Sequence, residues 1–284
     1  MGKDNKYDLI KGFKSQDKLL NLNSPLVMGI LNVTPDSFFQ NSRNRDVEKA
    51  MKWVKEIISA GVDIIDVGGV STRPNADLLS TEEELKRVIP VIREINCRYP
   101  DVLVSVDTFR STVAREAVLA GAHIVNDVYG GRFDEQMFDT VAELDVPYIL
   151  MHSRGDAGNM QTLCEYNDVV METCKELSHS VMGLRKKGVK DIIIDPGFGF
   201  AKDLEQNYEL FENLDFLKSL ECPILVGVSR KSMIYKLLGV GPKEALNGTT
   251  VLNTLAFIKN ASIIRVHDVK EAVEMKQIIT ALKK

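Results

Sequence analysis

The chain has 284 residues, 44% apolar and 27% charged, with a formal net charge of −4 at neutral pH. This is the composition of a soluble globular domain, and its mild acidity excludes nucleic-acid binding by charge alone; an anionic ligand must meet locally placed cations. No apolar run approaches the roughly 20 residues that span a bilayer, so no membrane association is expected.

Residues 1–24 are Lys/Asp/Asn-rich without the apolar core of a signal peptide. They read as an N-terminal extension that can add a strand or a plug to the domain that follows. From 25 to 284 the chain shows eight short apolar runs rich in β-branched residues, each ending at a polar or ionisable residue and each followed by a helical pattern. The first, 26–31, stops at Asn32; Val47, Ala50, Met51, Val54, Ile57 and Ile58 then recur at helical spacing. The second, 62–65, stops at Asp66, and Ser80 with Glu83 forms a capping box ahead of Leu85, Val88, Ile89 and Ile92. The third, 102–106, stops at Asp107 before a helix over 111–120; the fourth, 124–125, stops at Asn126 before one over 135–144. The fifth, 146–151, stops at His152 and precedes a helix over 166–187; the sixth, 192–194, stops at Asp195 and precedes one over 204–217. The seventh, 224–228, stops at Ser229 before helices over 232–238 and 245–259. The eighth, 263–264, stops at Arg265, and Asp268 with Glu271 starts a last helix faced by Val269, Ala272, Val273 and Ile279.

Strands buried on both faces read as continuous apolar runs, and parallel strands need helical crossovers. Eight such units close an α/β barrel, the (β/α)8 TIM barrel, a single domain with functional groups at the C-terminal strand ends. No linker divides the chain. The longest irregular stretches, 34–45, 68–79 and 153–163, follow strands one, two and five, on the side where the site is expected. Cys97, Cys164, Cys174 and Cys222 show no Cys-x-x-Cys or zinc-like spacing, so reduced, buried thiols and a cytoplasmic location are expected.

The strand ends supply Asn32, Asp66, Asp107, Asn126, Asp195, Lys231, Arg265 and His267. Each has a structural alternative. Asp66 can simply brace the barrel mouth, Asn126-Asp127 and Asp195-Pro196-Gly197 can be turns, and Arg265 with His267 can be a surface arginine beside a helix start. Ser229-Arg230-Lys231-Ser232 can be a solvated charge run. Closure of the barrel makes the set stronger than its members, because it brings separate strand ends to one mouth. Asp107, Asn126 and Asp195 offer acceptors; Lys231, Arg265 and His267 offer donors or positive charge. A carboxylate such as Asp195 can accept two parallel N–H bonds from a guanidine-like heterocycle edge. Arg265 and His267 can grip phosphate oxygens, which commonly sit at the last barrel loops. Gly197-Phe198-Gly199-Phe200 offers flat aromatic faces as a wall for a ring. Lys231 at a strand end also suits a Schiff-base aldolase.

The motifs carrying these residues are Met28 to Phe38 (MGILNVTPDSF), Ser71-Thr72-Arg73-Pro74, Ser105-Val106-Asp107-Thr108, Asn126-Asp127, Asp195 to Phe200 (DPGFGF), Ser229 to Met233 (SRKSM) and Arg265-Val266-His267-Asp268. In this ordered set the chain resembles the dihydropteroate synthases of folate biosynthesis over residues 25–284. The resemblance implies an Mg2+-dependent, cytoplasmic homodimer. Its reaction joins p-aminobenzoate to 6-hydroxymethyl-7,8-dihydropterin diphosphate, giving 7,8-dihydropteroate and pyrophosphate. It implies that Asp107, Asn126, Asp195 and Lys231 hold the pterin edges, with Met151, Phe200 and Gly227 lining the same pocket. Asn32, Arg265 and His267 would hold the diphosphate, Asn32 also as a ligand of Mg2+. Phe38, Thr72, Arg73, Pro74 and Ser232 would shape the p-aminobenzoate pocket. Asp36, Lys231, Arg265 and His267 would carry catalysis: diphosphate leaves first, and Asp36 helps stabilise the pterin methylene cation that the arylamine attacks.

The sequence departs from that pattern in places. Ser37-Phe38-Phe39-Gln40-Asn41-Ser42 stands where Ser-Phe-Ser-Asp-Gly-Gly is common, Val70 where Glu is common, Ala201 where Gly is common, and His152-Ser153-Arg154-Gly155 where His-Met-Arg-Gly is common. These departures bear on the arylamine side, including discrimination against sulfonamides. A pterin-dependent methyltransferase domain uses a related barrel without needing the 71–74 loop or the Arg265/His267 clamp. A catalytically silent pterin-binding protein would be expected to have lost those diphosphate residues.

Overall fold

The structure, a computed structural model, describes residues 12–15, 18–33, 43–70, 79–155 and 158–282. A hairpin of β1 (Gly12–Ser15) and antiparallel β2 (Lys18–Asn21) leads into eight parallel strands: β3 (Leu26–Asn32), β4 (Ile64–Gly68), β5 (Leu103–Asp107), β6 (Ile124–Asp127), β7 (Tyr148–Met151), β8 (Ile192–Asp195), β9 (Leu225–Val226) and β10 (Ile263–Val266). Their order is β8-β7-β6-β5-β4-β3-β10-β9. A parallel bridge between Ile194 and Ile224, with Ile194 N–H donating to the Pro223 carbonyl at 2.9 Å, joins β8 to β9 and closes the ring. The expected barrel is the fold.

Outside the strands lie α1 (Arg43–Ser59), α2 (Thr81–Arg98), α3 (Ser111–Leu119), α4 (Met137–Leu144), α5 (Val169–Lys186), α6 (Leu204–Glu212), α7 (Ser232–Leu238), α8 (Leu246–Ile258) and α9 (Val269–Leu282). Ser80 caps α2 through the Glu83 amide at 3.2 Å, but the reciprocal half of the expected box is absent, since Glu83 pairs with Arg87 at 3.4 Å. The helix expected from 166 starts at Val169 because the Asp168 carboxylate accepts the Val170 and Met171 amides. The one expected over 204–217 ends at Glu212, with Asn213 as its C-cap, and is followed by a 3-10 turn, Leu214–Leu220. Cys174 and Cys222 are buried thiols as expected; Cys97 is exposed and Cys164 half-buried, so burial does not hold for all four.

The pleat sorts the strand residues into layers. Met28, Ile64, Leu103, Ile124, Ile149, Ile193, Leu225 and Ile263, one from each barrel strand, pack together inside the bottom of the barrel. Their neighbours Val27, Ile65, Val104, Val125, Ile194, Val226 and Ile264 belong to the core shared with the helices. Because side chains repeat on one face every second residue, the inner positions above that apolar layer are Ile30 and Asn32, Asp66, Ser105 and Asp107, Asn126, Met151, Asp195, Gly227 and Arg265. Asn32, Asp66, Asp107, Asn126, Asp195 and Arg265, which end six of the runs, therefore share an inner face at the mouth, whereas His152, which ends the fifth, has the opposite parity.

The hairpin covers the opposite end. Phe13 and Leu20, 3% and 1% exposed, join the bottom apolar layer. Ser15 Oγ donates to the His123 carbonyl at 2.5 Å and Lys18 Nζ to the Val102 carbonyl at 2.7 Å. The part of the N-terminal extension that is described is thus a plug. Leu20→Ala should cost about 2–4 kcal/mol of stability in urea unfolding, with Michaelis constants unchanged, since the plug is remote from the mouth.

Candidate active site at the mouth of the barrel

At the centre of the mouth, Arg265 from β10 lies across two carboxylates. Its Nε donates to Asp66 Oδ2 at 2.6 Å and its Nη2 to Asp107 Oδ2 at 2.5 Å. Asp66 is fully buried, and its Oδ2 also accepts from Asn126 Nδ2 at 3.0 Å. The amide nitrogen of Asn126 is thereby engaged at its base, which leaves its carbonyl as the acceptor for a ligand. Burial pushes the Asp107 carboxyl up to about 7, against the pull of the Arg265 cation. Asp66 takes the bracing role weighed for it, and it is also what orients two residues of the expected site.

Asp195, from the end of β8, faces Lys231 across the mouth. Burial raises the Asp195 carboxyl, while Lys231 lowers it, as does the Gly197 amide donating to Oδ1 at 2.8 Å. Burial brings the Lys231 amine down to about 8. Its Nζ donates to the Phe198 carbonyl at 2.5 Å and stands 4.8 Å from the centre of the Phe200 ring. Between these groups lies Gly227. A β-carbon there would sit 3.9 Å from Asp195 Oδ2, Lys231 Nζ and Arg265 Cβ alike, so glycine keeps open the space on which the three converge. Met151 and Phe200 belong to an apolar cluster with Val70, Phe109, Val128 and Tyr129, which gives the polar floor a flat, greasy side.

His267 is exposed just beyond β10, and its main-chain N and ring Nδ1 both lie 3.2 Å from Ser229 Oγ. Arg230 holds the adjacent loops together. Its Nε and Nη2 each donate to the Asp268 carboxylate at 2.8 Å, and its Nη1 reaches the Pro242 and Lys243 carbonyls. The run at 229–232 is thus not a solvated charge patch. Ser232 is the first residue of α7, next to Lys231. Asn32 ends β3, the strand paired with β10 on the side away from β9: a β-carbon at Gly68 would sit 3.5 Å from both Asn32 Oδ1 and Asp107 Oδ2, so the two oxygens face one gap. Asp36, Phe38, Thr72, Arg73 and Pro74 lie outside the described residues.

The arrangement is a polarised pocket. Buried acceptors line its floor, cations stand on the β9–β10 side, and an aromatic face closes one wall. It can receive the donor-rich edge of a heterocycle at Asp195, Asn126 and Asp107, and anionic oxygens toward Lys231 and His267. The sequence reading missed Ser229 and Phe198 as partners of His267 and Lys231. Phe198 acts through its carbonyl, which carries no side-chain signature. Gly227→Ala should leave stability within about 0.5 kcal/mol, because no atom lies closer than ordinary contact. The same change should weaken binding of a flat heterocycle at the mouth, measured by fluorescence titration.

Comparison with known proteins places this geometry in a family. Residues 28–267 match the family model described as pterin binding enzyme. The dihydropteroate synthase of Escherichia coli (strain K12) is 43% identical over 269 residues, covering 94% of this chain and 95% of that protein. A Yersinia pestis dihydropteroate synthase solved with a sulfonamide drug aligns with a TM-score of 0.90 at 39% identity, over 96% of this chain and 99% of that one. A Xanthomonas albilineans dihydropteroate synthase holding 4-aminobenzoic acid aligns with a TM-score of 0.89 at 38% identity, over 96% and 98%.

Proposed function

The chain belongs to the pterin binding enzyme family, and from that premise we infer how its own residues carry out the family's reaction. The activity is dihydropteroate synthesis in folate biosynthesis, a transfer of a pterin methylene group to p-aminobenzoate. The observation that carries the assignment of roles is the convergence of Asp195, Lys231 and Arg265 around Gly227.

The pterin lies on the polar floor. Its guanidine-like edge donates two N–H bonds to Asp195, a geometry a buried carboxylate accepts well. Asn126, with its amide nitrogen tied to Asp66, offers its carbonyl, and Asp107 offers the oxygen not spent on Arg265. Lys231 donates to the ring's acceptor side, and Met151 and Phe200 cover its faces. The diphosphate points toward His267, with the Arg265 guanidinium beneath it. As the bond to diphosphate breaks, negative charge grows on the leaving oxygens and positive charge on the pterin methylene. Fixed cations stabilise the first in a pocket that has little water to reorganise. The second requires exclusion of water until the arylamine attacks, a task for the loops carrying Asp36 and Arg73. Phe38, Thr72, Arg73, Pro74 and Ser232 form the arylamine pocket, and a sulfonamide is the expected competitor there.

Mg2+ fits this reading. Asn32 Oδ1 stands at the open gap beside Gly68 as a single neutral oxygen donor, while Asp107 Oδ2 on the far side of that gap is engaged by Arg265. An ion that takes few protein oxygens and completes its shell with substrate phosphates and water suits that donor set. When bound, it supplies neutralising charge to the diphosphate. The homodimer is supported by an apolar stripe of Val251, Leu255 and Ile258 exposed on the outer face of α8, next to exposed Leu237 and Leu238 of α7. No helix among the described residues is long and apolar enough to cross a membrane, and the cytoplasm is the compartment proposed.

The reading is tested by a coupled pyrophosphate assay. Sustained release should need both substrates and Mg2+, and omission of p-aminobenzoate should abolish steady turnover; steady-state pyrophosphate release without the arylamine would contradict it, whereas a single-turnover release is what departure of diphosphate first allows. Borohydride trapping at Lys231 with a carbonyl substrate would instead favour the aldolase. Asp195→Ala should lower pterin affinity by about a hundredfold, the loss expected when a charged acceptor leaves two buried donors unpaired. Unchanged affinity in a fluorescence titration would remove Asp195 from its role.

A further inference from the structure

Behind the loop that walls the pocket lies a lysine that none of the roles above uses. Lys202 is 5% exposed, just ahead of α6. Its Nζ stands 3.0 Å from His152 Nδ1, 3.2 Å from the Gly197 carbonyl and 3.1 Å from the Phe200 carbonyl. An ammonium has three protons and no acceptor, and here it meets three acceptors. Because Nδ1 of His152 accepts, its other nitrogen carries the proton, and Nε2 donates to Glu176 Oε2 at 3.1 Å. Burial, then the charge of Lys202, brings His152 down to about 3, so the ring is neutral in that tautomer. Glu176 is fixed from behind by Arg154 and Arg132.

The segment between the two carbonyls that Lys202 holds is the pocket wall itself. Phe198 in its middle accepts from Lys231, and Phe200 at its end covers Lys231. Gly197 lies so close to the His152 carbonyl that a β-carbon would come within 1.9 Å of it. We propose that Lys202 is a positioning residue for the pterin: its ammonium latches the 197–200 loop from behind and supplies a third positive charge to Asp195. The inference rests on the reading that Asp195 and Lys231 hold the pterin.

The charges facing Asp195 are Lys231, Arg265 and Lys202, from three separate elements. Those facing Lys202 are Asp195 and Glu176, which favour its charged form, and Lys231 and Arg154, which oppose it; burial is the largest influence and lowers the amine to about 7. The sign for Asp195 follows. A nearby cation favours the carboxylate, so deleting it raises the Asp195 pKa and moves the acid limb of pterin binding to higher pH.

The test is titration of the full-length enzyme with 6-hydroxymethylpterin between pH 5 and 9, together with steady-state kinetics for both substrates. Lys202→Met should weaken pterin binding on the order of tenfold or more, the cost of losing charge-assisted hydrogen bonds. The KM for p-aminobenzoate should change far less, and the acid limb should rise. Lys202→Gln keeps two donors and remains testable if the methionine variant does not fold; it should recover part of the affinity and leave the acid limb displaced. A folded Lys202→Gln enzyme with wild-type pterin affinity and an unmoved acid limb overturns the proposal. So does an equal loss for both substrates with an unmoved limb. Lys231→Met is the control: if it too binds pterin normally, the site reading fails first, whereas a weakened Lys231→Met beside a normal Lys202→Gln rejects only the latch.

Discussion

One guanidinium shared by two carboxylates organises this molecule's chemistry. Arg265 reaches Asp66 across 199 positions of sequence and Asp107 across 158. Burying two carboxylates side by side is costly, and the cation between them is what makes the pair tolerable. With Arg265 in place, Asp66 can turn Asn126 and Asp107 can keep an oxygen for a ligand. Without it, two buried carboxylates would stand side by side uncompensated and the acceptor floor would be lost. The barrel supplies the geometry, since only a closed ring carries β4, β5 and β10 to one centre.

The apolar runs that stop at polar residues made the eight strands and the mouth legible. Continuous burial on both faces removes the alternation that would assign a face, yet the polar terminator itself does so. Ile193 at the bottom and Asp195 at the mouth differ by two positions, as do Ile124 and Asn126, or Leu225 and Gly227. What sequence could not reveal was contact through the backbone. The Phe198 carbonyl on Lys231 and the two carbonyls on Lys202 carry no residue-type signal. Lys202 drew no role from the sequence, and only the fold shows it to be buried. Helix ends strayed for local reasons, as where Asp168 caps α5 three residues after the expected start. Val70, one of the departures from the family pattern, joins the apolar cluster beside Met151.

Ala201 explains itself in backbone terms. Its φ of 48° lies in the left-handed region, which a β-carbon disfavours by about 1 kcal/mol; glycine is the easy residue there. Alanine is tolerated because its neighbours on both sides are held, Phe200 by the Lys202 ammonium on its carbonyl and Lys202 by Asn207 Nδ2, which donates to the Lys202 carbonyl. The loop's shape is thus set by hydrogen bonds rather than by local preference.

The N-terminal hairpin has a consequence for how the protein assembles. Its seat is made of one side chain from every barrel strand, so that surface does not exist until Ile263 has arrived. The hairpin, which precedes every barrel strand in the chain, is therefore among the last elements to dock, and until then Phe13 and Leu20 travel exposed. Long-range closure of this kind makes for slow folding and a period of vulnerability to aggregation. The same late docking makes the hairpin a unit able to detach from beneath a barrel whose mouth remains formed.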